Sequence, residues 1–405
     1  RARPWALLEN NINQTTASSS ASIISGGLVA PIPALTLLTG RTFDWHVLAF
    51  WVFAVSILGV VVAAALRTQM IEREKLPFPV GIATAETLRQ IHDRGRESAK
   101  RLRLLLGGAI VSAAAKLGVE LAAGTVRWAP AITFPALGAA RVTPTATNLG
   151  FALDPSLLML GFGAIIGLRA GISMLLGAVV AWGVLAPVVL DRGWAQPGAS
   201  DSAWFGPLVE WLLWPGVTLL VVASLVSFGI SVGRLIRRKA AAAFGTGPVT
   251  GETGVTPIGA LGKVTQLTYG VVTPGDMAAN LMTANVTGGA AGQCADLMHD
   301  LKTGQIVGAT PRLQILAQCF GILVGSLVGS MIYLVLIPNP VGTLITPEWP
   351  APAVATWKAV AEVLSRGLGA IPEGATTAMA IAAALGVVMA VIERHLPDHR
   401  ARFFP

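Results

Sequence analysis

Lys116 and Glu120 stand four residues apart in an otherwise apolar stretch, a spacing that places both on one face of a helix. Ionisable groups at membrane depth usually face a cavity or a partner. Two readings fit this pair: a structural ion pair buried between helices, or a coupling site in which the Glu120 carboxylate takes up a proton. The densest polar region is 256–312, which opens Thr256-Pro257-Ile258-Gly259-Ala260-Leu261-Gly262-Lys263-Val264-Thr265-Gln266. It continues through Asp276, Asn280, Asn285 and Gln293 and ends with Asp296, Asp300, Lys302 and Arg312. Glycine and proline among polar side chains suggest broken helices lining a water-filled cavity. The alternative is a helix pair joined by Asn and Thr hydrogen bonds. The start of the chain repeats this chemistry with Asn10, Asn11, Asn13 and Gln14 followed by a Thr/Ser run. Amides both donate and accept, which suits a zwitterionic or amide-rich solute, although the run would also serve as a cytoplasmic helix cap.

Signatures of enzyme chemistry are missing. No His-Glu-x-x-His occurs, and none of His46, His92, His299, His395 and His399 has a zinc-like neighbour. Cys294 and Cys319 have no metal-ligand spacing. Lys263 is not in a phosphate loop, because Pro257 and Val264 occupy the positions where that loop needs Gly and a hydroxyl. There is no Gly-x-Ser-x-Gly elbow. Thr273-Pro274-Gly275-Asp276 only partly matches the Gly-x-Gly-Asp of intramembrane aspartyl proteases.

The elements that must position these residues follow from composition. The 405 residues are 53% hydrophobic and 12% charged, with a mean hydropathy of +0.66. Soluble domains carry about 25% charged residues, so a soluble enzyme and a disordered chain are both excluded. A barrel would need alternating segments of about ten residues, and the apolar runs here are about twice that length without alternation. The expected fold is all-α: a polytopic membrane helical bundle of about ten spans with broken or re-entrant helices. The spans fall near 15–39, 45–66, 104–124, 148–168, 170–190, 208–233, 257–275, 277–293, 313–337 and 371–392. The 45 glycines suit close helix packing. A flexible, glycine-rich cytoplasmic linker at 240–256 divides a first bundle of six spans (1–239) from a second of four (257–405), whose broken helices lie at 257–293.

With the N-terminus inside, most of the 29 basic residues fall on inner segments, above all in the large loop 67–103. Trp45, Trp51, Trp128, Trp194, Trp204, Trp211, Trp214, Trp349 and Trp357 then lie near outer ends, where interfacial anchors belong. Within the loop, Leu76-Pro77-Phe78-Pro79-Val80-Gly81 cannot continue a helix smoothly and predicts a break leading into a short helix through Glu86.

On these residues the chain resembles the oligopeptide transporter family, which includes the yellow-stripe-like metal-chelate transporters. The matching stretches are Asn11-Ile12-Asn13-Gln14-Thr15-Thr16-Ala17-Ser18, Lys75 through Gly81 with Ala85-Glu86, and Gly171-Ile172 through Trp182-Gly183. They continue with Thr256-Pro257-Ile258-Gly259, Gly262 through Gln266, Ala295 through Gly304, and Gly308-Ala309-Thr310-Pro311-Arg312. The resemblance implies proton-driven import of small peptides or peptide-like metal chelates. It also implies many more spans than this chain holds, so a prokaryotic member incomplete at both ends is expected.

The combined expectation is a helical secondary transporter in the cell inner (plasma) membrane, not an enzyme, with the N-terminus of this chain cytoplasmic. Asn13, Gln14, Lys263, Gln266, Asn280 and Asn285 would line the solute cavity, with Lys263 meeting a carboxylate. Glu120, tuned by Lys116, is the proton-site candidate, and Asp276 is second. Asp296, Asp300, Lys302 and Arg312 would form an inner gate or a structural charge cluster, with Pro77 and Pro79 aiming Glu86 at the mouth of the pathway. No cofactor is expected, and metal would enter only within a chelated substrate. The partners expected are the solute and the lipid bilayer, with no nucleic acid, and a homo-oligomer is compatible. The rival expectations are an uncoupled small-solute channel and an intramembrane hydrolase.

Overall fold

The computed structural model describes residues 6–23, 27–92, 96–121, 130–134, 143–153, 160, 163, 168–198, 204–237, 258–346, 349, 351–367, 369 and 371–395. The helices are α1 (Leu7–Ile23), α2 (Pro31–Thr39), α3 (Trp45–Arg67), α4 (Pro79–His92), α5 (Arg96–Leu121), α6 (Leu168–Ala178), α7 (Ala186–Asp191), α8 (Phe205–Arg237), α9 (Ile258–Val272), α10 (Met277–Val307), α11 (Pro311–Leu336), α12 (Pro340–Thr343), α13 (Pro352–Arg366) and α14 (Ala375–His395). Wider π turns follow α3 at Thr68–Arg73 and join α6 to α7 at Val179–Leu185. Among the described residues the β structure is one isolated bridge, Thr133 to Thr145. The all-α expectation holds. Among the described residues, five helical stretches are long and apolar enough to cross a membrane: Trp45–Arg73, Gly171–Asp191, Leu208–Ser227, Pro311–Leu336 and Ala375–Ile392. The chain is a multi-pass membrane protein.

Two compact units are formed. One joins residues 1–94 with 227–370, and the other joins 95–226 with 371–405. The linker expected at 240–256 lies outside the described residues.

In the first unit α10 is the central element. It packs on α1, α2, α3, α4, α9, α11 and α13. Small residues let the backbones approach. A Cβ on Gly59 of α3 would sit 2.8 Å from Gln293 Cβ, and one on Gly325 of α11 would sit 2.9 Å from Ser20 Cα. The apolar core is built from Leu48, Val52 and Val60 of α3, Leu297, Met298 and Leu301 of α10, and Phe78.

The helix α11 is built inside out. Gln314, Gln318, Ser326 and Ser330 are buried, while Leu316, Phe320, Leu323, Leu327 and Val335 are exposed. An apolar outer face with a polar inner face is the arrangement that lipid requires.

Two expected segments differ from the structure. The stretch 15–39 is not one span: α1 ends at Ile23 and a separate α2 starts at Pro31, whose ring suits a first helical turn but not an interior. The region 257–293 is not broken within its helices, and no loop follows residue 293. The break is confined to a turn at 273–276 with Gly275 at φ 86°, and α10 then runs 31 residues to Val307. The hydroxyls that suggested irregular backbone instead bond to their own helix, Thr283 to Ala279 O at 2.6 Å and Thr287 to Thr283 O at 3.2 Å. Helix α13 was not anticipated. Most of the span expected at 148–168 lies outside the described residues.

The break at Leu76-Pro77-Phe78-Pro79 is present. Residues 75–78 are non-helical, and α4 starts at Pro79. Phe78 is fully buried at a φ of 44°, with its ring edge-on to His299 at 5.6 Å. Burial of the ring offsets the strain of that left-handed backbone.

In the second unit, Trp211 Nε1 donates to Glu373 O at 3.0 Å, and its ring stacks on Trp194 at 5.6 Å. The tryptophans do not all behave as interfacial anchors. Trp45 and Trp349 are exposed, whereas Trp204, Trp211, Trp214 and Trp357 are buried.

Candidate functional site

The first unit holds two polar clusters. The first brings together Lys263 and Gln266 of α9, Asn280 of α10 and Trp357 of α13. Lys263 Nζ donates to Gln266 Oε1 at 3.1 Å and lies 4.1 Å from the centroid of the Trp357 ring. Gln266 Nε2 donates to Asn280 Oδ1 at 3.2 Å and to Trp357 O at 3.4 Å. Asn280 Nδ2 returns a 2.6 Å bond to Gln266 O. Lys263 and Asn280 are each 3% exposed, and Gln266 is 0% exposed. A buried ammonium needs compensation. Here an aromatic face and an amide oxygen supply it, and among the described residues no carboxylate pairs with Lys263. Gly262 makes room for the indole, since a Cβ there would lie 2.7 Å from Trp357 Cζ2.

The second cluster is a seam between α1, α10 and α11. Gln14 Nε2 donates to Asp300 Oδ1 at 2.7 Å, Ser18 Oγ to Asp296 Oδ1 at 2.8 Å, and Ser22 Oγ to Gln293 Oε1 at 2.9 Å. These rungs climb one helix as they descend the other, so α1 and α10 run antiparallel. From α11, Gln318 Nε2 donates to Asp296 Oδ2 at 3.3 Å, and Gln314 Nε2 donates to Asp300 O at 2.7 Å and Asn11 Oδ1 at 3.1 Å. The α1 face toward α11 repeats every fourth residue, with Asn11, Thr15, Ser19 and Ile23 all buried.

Of the proposed solute-lining residues, Lys263, Gln266 and Asn280 therefore meet in one network. Asn285 is buried near Gly27, whose Cβ would lie 3.5 Å from Asn285 Oδ1. Gln14 belongs to the seam, and Asn13 is exposed. Among the proton-site candidates, Lys116 is exposed, and the Glu120 side chain lies outside the described residues. Asp276 is an exposed cap of α10, accepting from Ala279 N at 2.9 Å. The charge cluster does not assemble as expected. Asp296 and Asp300 are held by hydroxyls and amides, while Lys302 donates to Gln305 Oε1 at 3.2 Å and Arg312 is exposed. Glu86 is also exposed, accepting from Gln90 Nε2 at 2.8 Å. The buried face of α4 is instead Gly81, Ala85 and Leu88. Arg89 Nη2 donates to Ile306 O at 2.6 Å and ties α4 to the end of α10.

Sequence reasoning missed Trp357, Gln314 and Gln318. The two glutamines, four apart in an apolar span, carried a usable signal. Trp357 did not, because an interfacial and a buried tryptophan look alike in one sequence. Among the described residues no group of three His, Cys, Asp or Glu side chains is placed to hold a metal ion.

Helices with lipid-compatible outer faces and polar clusters lodged between them define a membrane transport protein. The chain belongs to the OPT oligopeptide transporter protein family, whose model matches residues 1–244 and 239–405. It is 24% identical over 562 aligned positions to the putative oligopeptide transporter YGL114W of Saccharomyces cerevisiae, covering 96% of this chain and 77% of that one. It is 22% identical over 513 positions to the metal-nicotianamine transporter YSL2 of Oryza sativa subsp. japonica, covering 100% and 73%. It is 23% identical over 512 positions to the iron-phytosiderophore transporter yellow stripe 1 of Zea mays, covering 100% and 72%. Family membership makes the chain a transporter rather than an enzyme.

Proposed function

We propose that this chain is a secondary active transporter that imports oligopeptides or peptide-like metal chelates across the cytoplasmic membrane, driven by protons, with its N-terminal end on the inner side. The names of the three relatives, an oligopeptide, a metal-nicotianamine and an iron-phytosiderophore transporter, support a small solute of this class. The concentration of basic residues in 67–103 and at 234–239 supports the orientation.

The observation that carries the reading is the buried Lys263 ammonium, backed by Trp357 and flanked by the amides of Gln266 and Asn280. A solute carboxylate is the partner this cation fits, and the amides suit peptide N–H and C=O groups. Trp357 covers the ammonium, so the solute must displace the indole to reach it. Transporter sites of this type are exposed by alternating access.

The test is uptake into proteoliposomes of labelled di- to hexapeptides and of a metal–nicotianamine chelate, with and without an inward proton gradient. Saturable accumulation above equilibrium, dependent on the gradient, is expected for at least one of the two classes. Flux that only equilibrates, whatever the gradient, would overturn the reading in favour of a channel.

A further inference from the structure

Asp296 and Asp300 lie one helical turn apart on α10, and Asp300 is 2% exposed. Their protein partners are all neutral donors: Ser18, Gln318 and Gln14. Asp296 is half-buried, and two carboxylates one turn apart and largely withdrawn from water penalise each other's charge.

The hydrogen-bond inventory of the seam points the same way. Asp300 Oδ2 is buried without a protein partner. So are Gln14 Oε1, Gln314 Oε1 and Gln318 Oε1, whose amide nitrogens are already committed to Asp300 Oδ1, Asp300 O and Asp296 Oδ2 respectively. Gln314 and Gln318 are each 0% exposed. Native interiors leave few buried polar atoms unsatisfied. Gln14 and Gln318 are bonded through their nitrogens to the two carboxylates and Gln314 to the Asp300 backbone, and one O–H on Asp300 Oδ2 would turn an unpaired acceptor into a donor.

We infer that Asp296 and Asp300 together hold one proton in the α1–α10–α11 seam, carried on Asp300 Oδ2, and that this proton is the coupling ion. It is taken up from water on one side of the membrane, forming the O–H bond. It is released to water on the other side when that bond breaks. The other titratable groups on the packed elements are engaged or distant in role. His299 of α10 packs its ring on Phe78 and lies within electrostatic reach of Asp296 without a hydrogen bond to it, and Arg89 of α4 binds Ile306 O. Glu86 of α4 is exposed beside Gln90, and Arg312 at the start of α11 is exposed. Cys294 and Cys319 are half-buried thiols. On α1 the one carboxylate is Glu9, which accepts from Ala6 N, and the one titratable group of α3 between Trp45 and Ala65 is His46, exposed at its start. The assignment of the proton as coupling ion rests on the proposed function, whereas its presence on the pair does not.

Two measurements on the full chain separate these parts. The first is infrared spectroscopy of the purified protein in membranes at neutral pH. A protonated-carboxyl C=O band, shifted in heavy water and lost in Asp300→Asn, is expected. A spectrum without that band, or a band that survives both Asp300→Asn and Asp296→Asn, overturns the proposal. Asn is nearly isosteric with a protonated Asp, so Asp300→Asn is expected to keep the wild-type melting temperature, which guards against misfolding. The second is transport of the labelled peptide or chelate. Asp300→Asn should retain solute exchange without a gradient and lose gradient-driven accumulation to the level of the gradient-free control. Accumulation equal to wild type overturns the coupling role, as does radioactive sodium binding to wild type that Asp300→Asn abolishes. If wild type moves neither solute, the proposed function fails while the infrared band still decides the proton site.

Discussion

Gln14 of α1 donates a 2.7 Å hydrogen bond to Asp300 of α10, joining residues 286 positions apart in the chain. With Ser18–Asp296 and Ser22–Gln293 it makes a ladder that fixes the register of α1 on α10 through side chains. Removing a donor leaves a buried acceptor unpaired, which costs about 1–3 kcal/mol. Ser18→Ala and Gln14→Ala are therefore expected to lower the thermal midpoint of the purified protein. Asn13→Ala, at an exposed position on the same helix, should stay within about 0.5 kcal/mol of wild type. Equal midpoints for Ser18→Ala and Asn13→Ala in a melting series would show that the ladder contributes nothing.

Close approach of α1 to α11 should be as sensitive as the ladder. A Cβ at Gly325 would sit 2.8 Å from Ile23 Cδ1 and 2.9 Å from Ser20 Cα, whereas one at Gly329 would sit 3.8 Å from Leu28 Cδ1. Gly325→Val is expected to destabilise by about 1–3 kcal/mol through overpacking, and Gly329→Ala to be tolerated. Denaturation of the two variants side by side distinguishes them, and a harmless Gly325→Val would refute the contact.

The proposed recognition of a carboxylate by Lys263 has a kinetic signature. Wild type is expected to prefer a free peptide over its C-terminally amidated analogue by about tenfold, or about 1.4 kcal/mol. Lys263→Met should erase the preference while leaving the amidated analogue's uptake nearly unchanged. Trp357→Phe should fall between the two, because a smaller ring still faces the ammonium. Competition assays in proteoliposomes read this directly, and an undiminished preference in Lys263→Met removes Lys263 from the site.

The turn before α4 is expected to be a stability element. Phe78 is fully buried and contacts His299 edge-on. Phe78→Ala should cost about 3–5 kcal/mol by emptying that volume. Reduced yield and a lowered melting midpoint are the measurements. A variant with wild-type stability would mean that the backbone strain at Phe78, rather than its ring, dominates.

The proposed inner position of the 67–103 loop can be probed by labelling. In a background of Cys294→Ala and Cys319→Ala, a cysteine at exposed position 73 should react with an impermeant maleimide only from the cytoplasmic side, and one at exposed position 41 only from outside. The reverse pattern would invert the proposed orientation.

The helical class was readable because long apolar runs with few charges admit no other fold in lipid. The Lys263–Gln266–Asn280 network was readable from residue type, since buried lysine and amides need partners and Lys263 and Gln266 share a helix face. Two things were not readable. Thr and Gly near Asn280 suggested a broken helix, but whether a hydroxyl bonds its own carbonyls or a ligand is settled only by packing. The partners of Asp296 and Asp300 were assigned to nearby charges, yet they include Ser18 and Gln14, 278 and 286 positions away. Sequence proximity favoured Lys302 and Arg312. Burial favoured neutral donors that lose less on leaving water.

Helix α10 carries Asn280 near one end and Asp300 near the other, without interruption between them. At 1.5 Å per residue they are about 30 Å apart along one stiff rod. A displacement of the helix along its axis at Asn280 would move Asp300 with it, with no relay of intervening side chains needed. Solute and ion need not touch, or share a cavity, for the seating of one to be felt mechanically by the other. A single lever suffices.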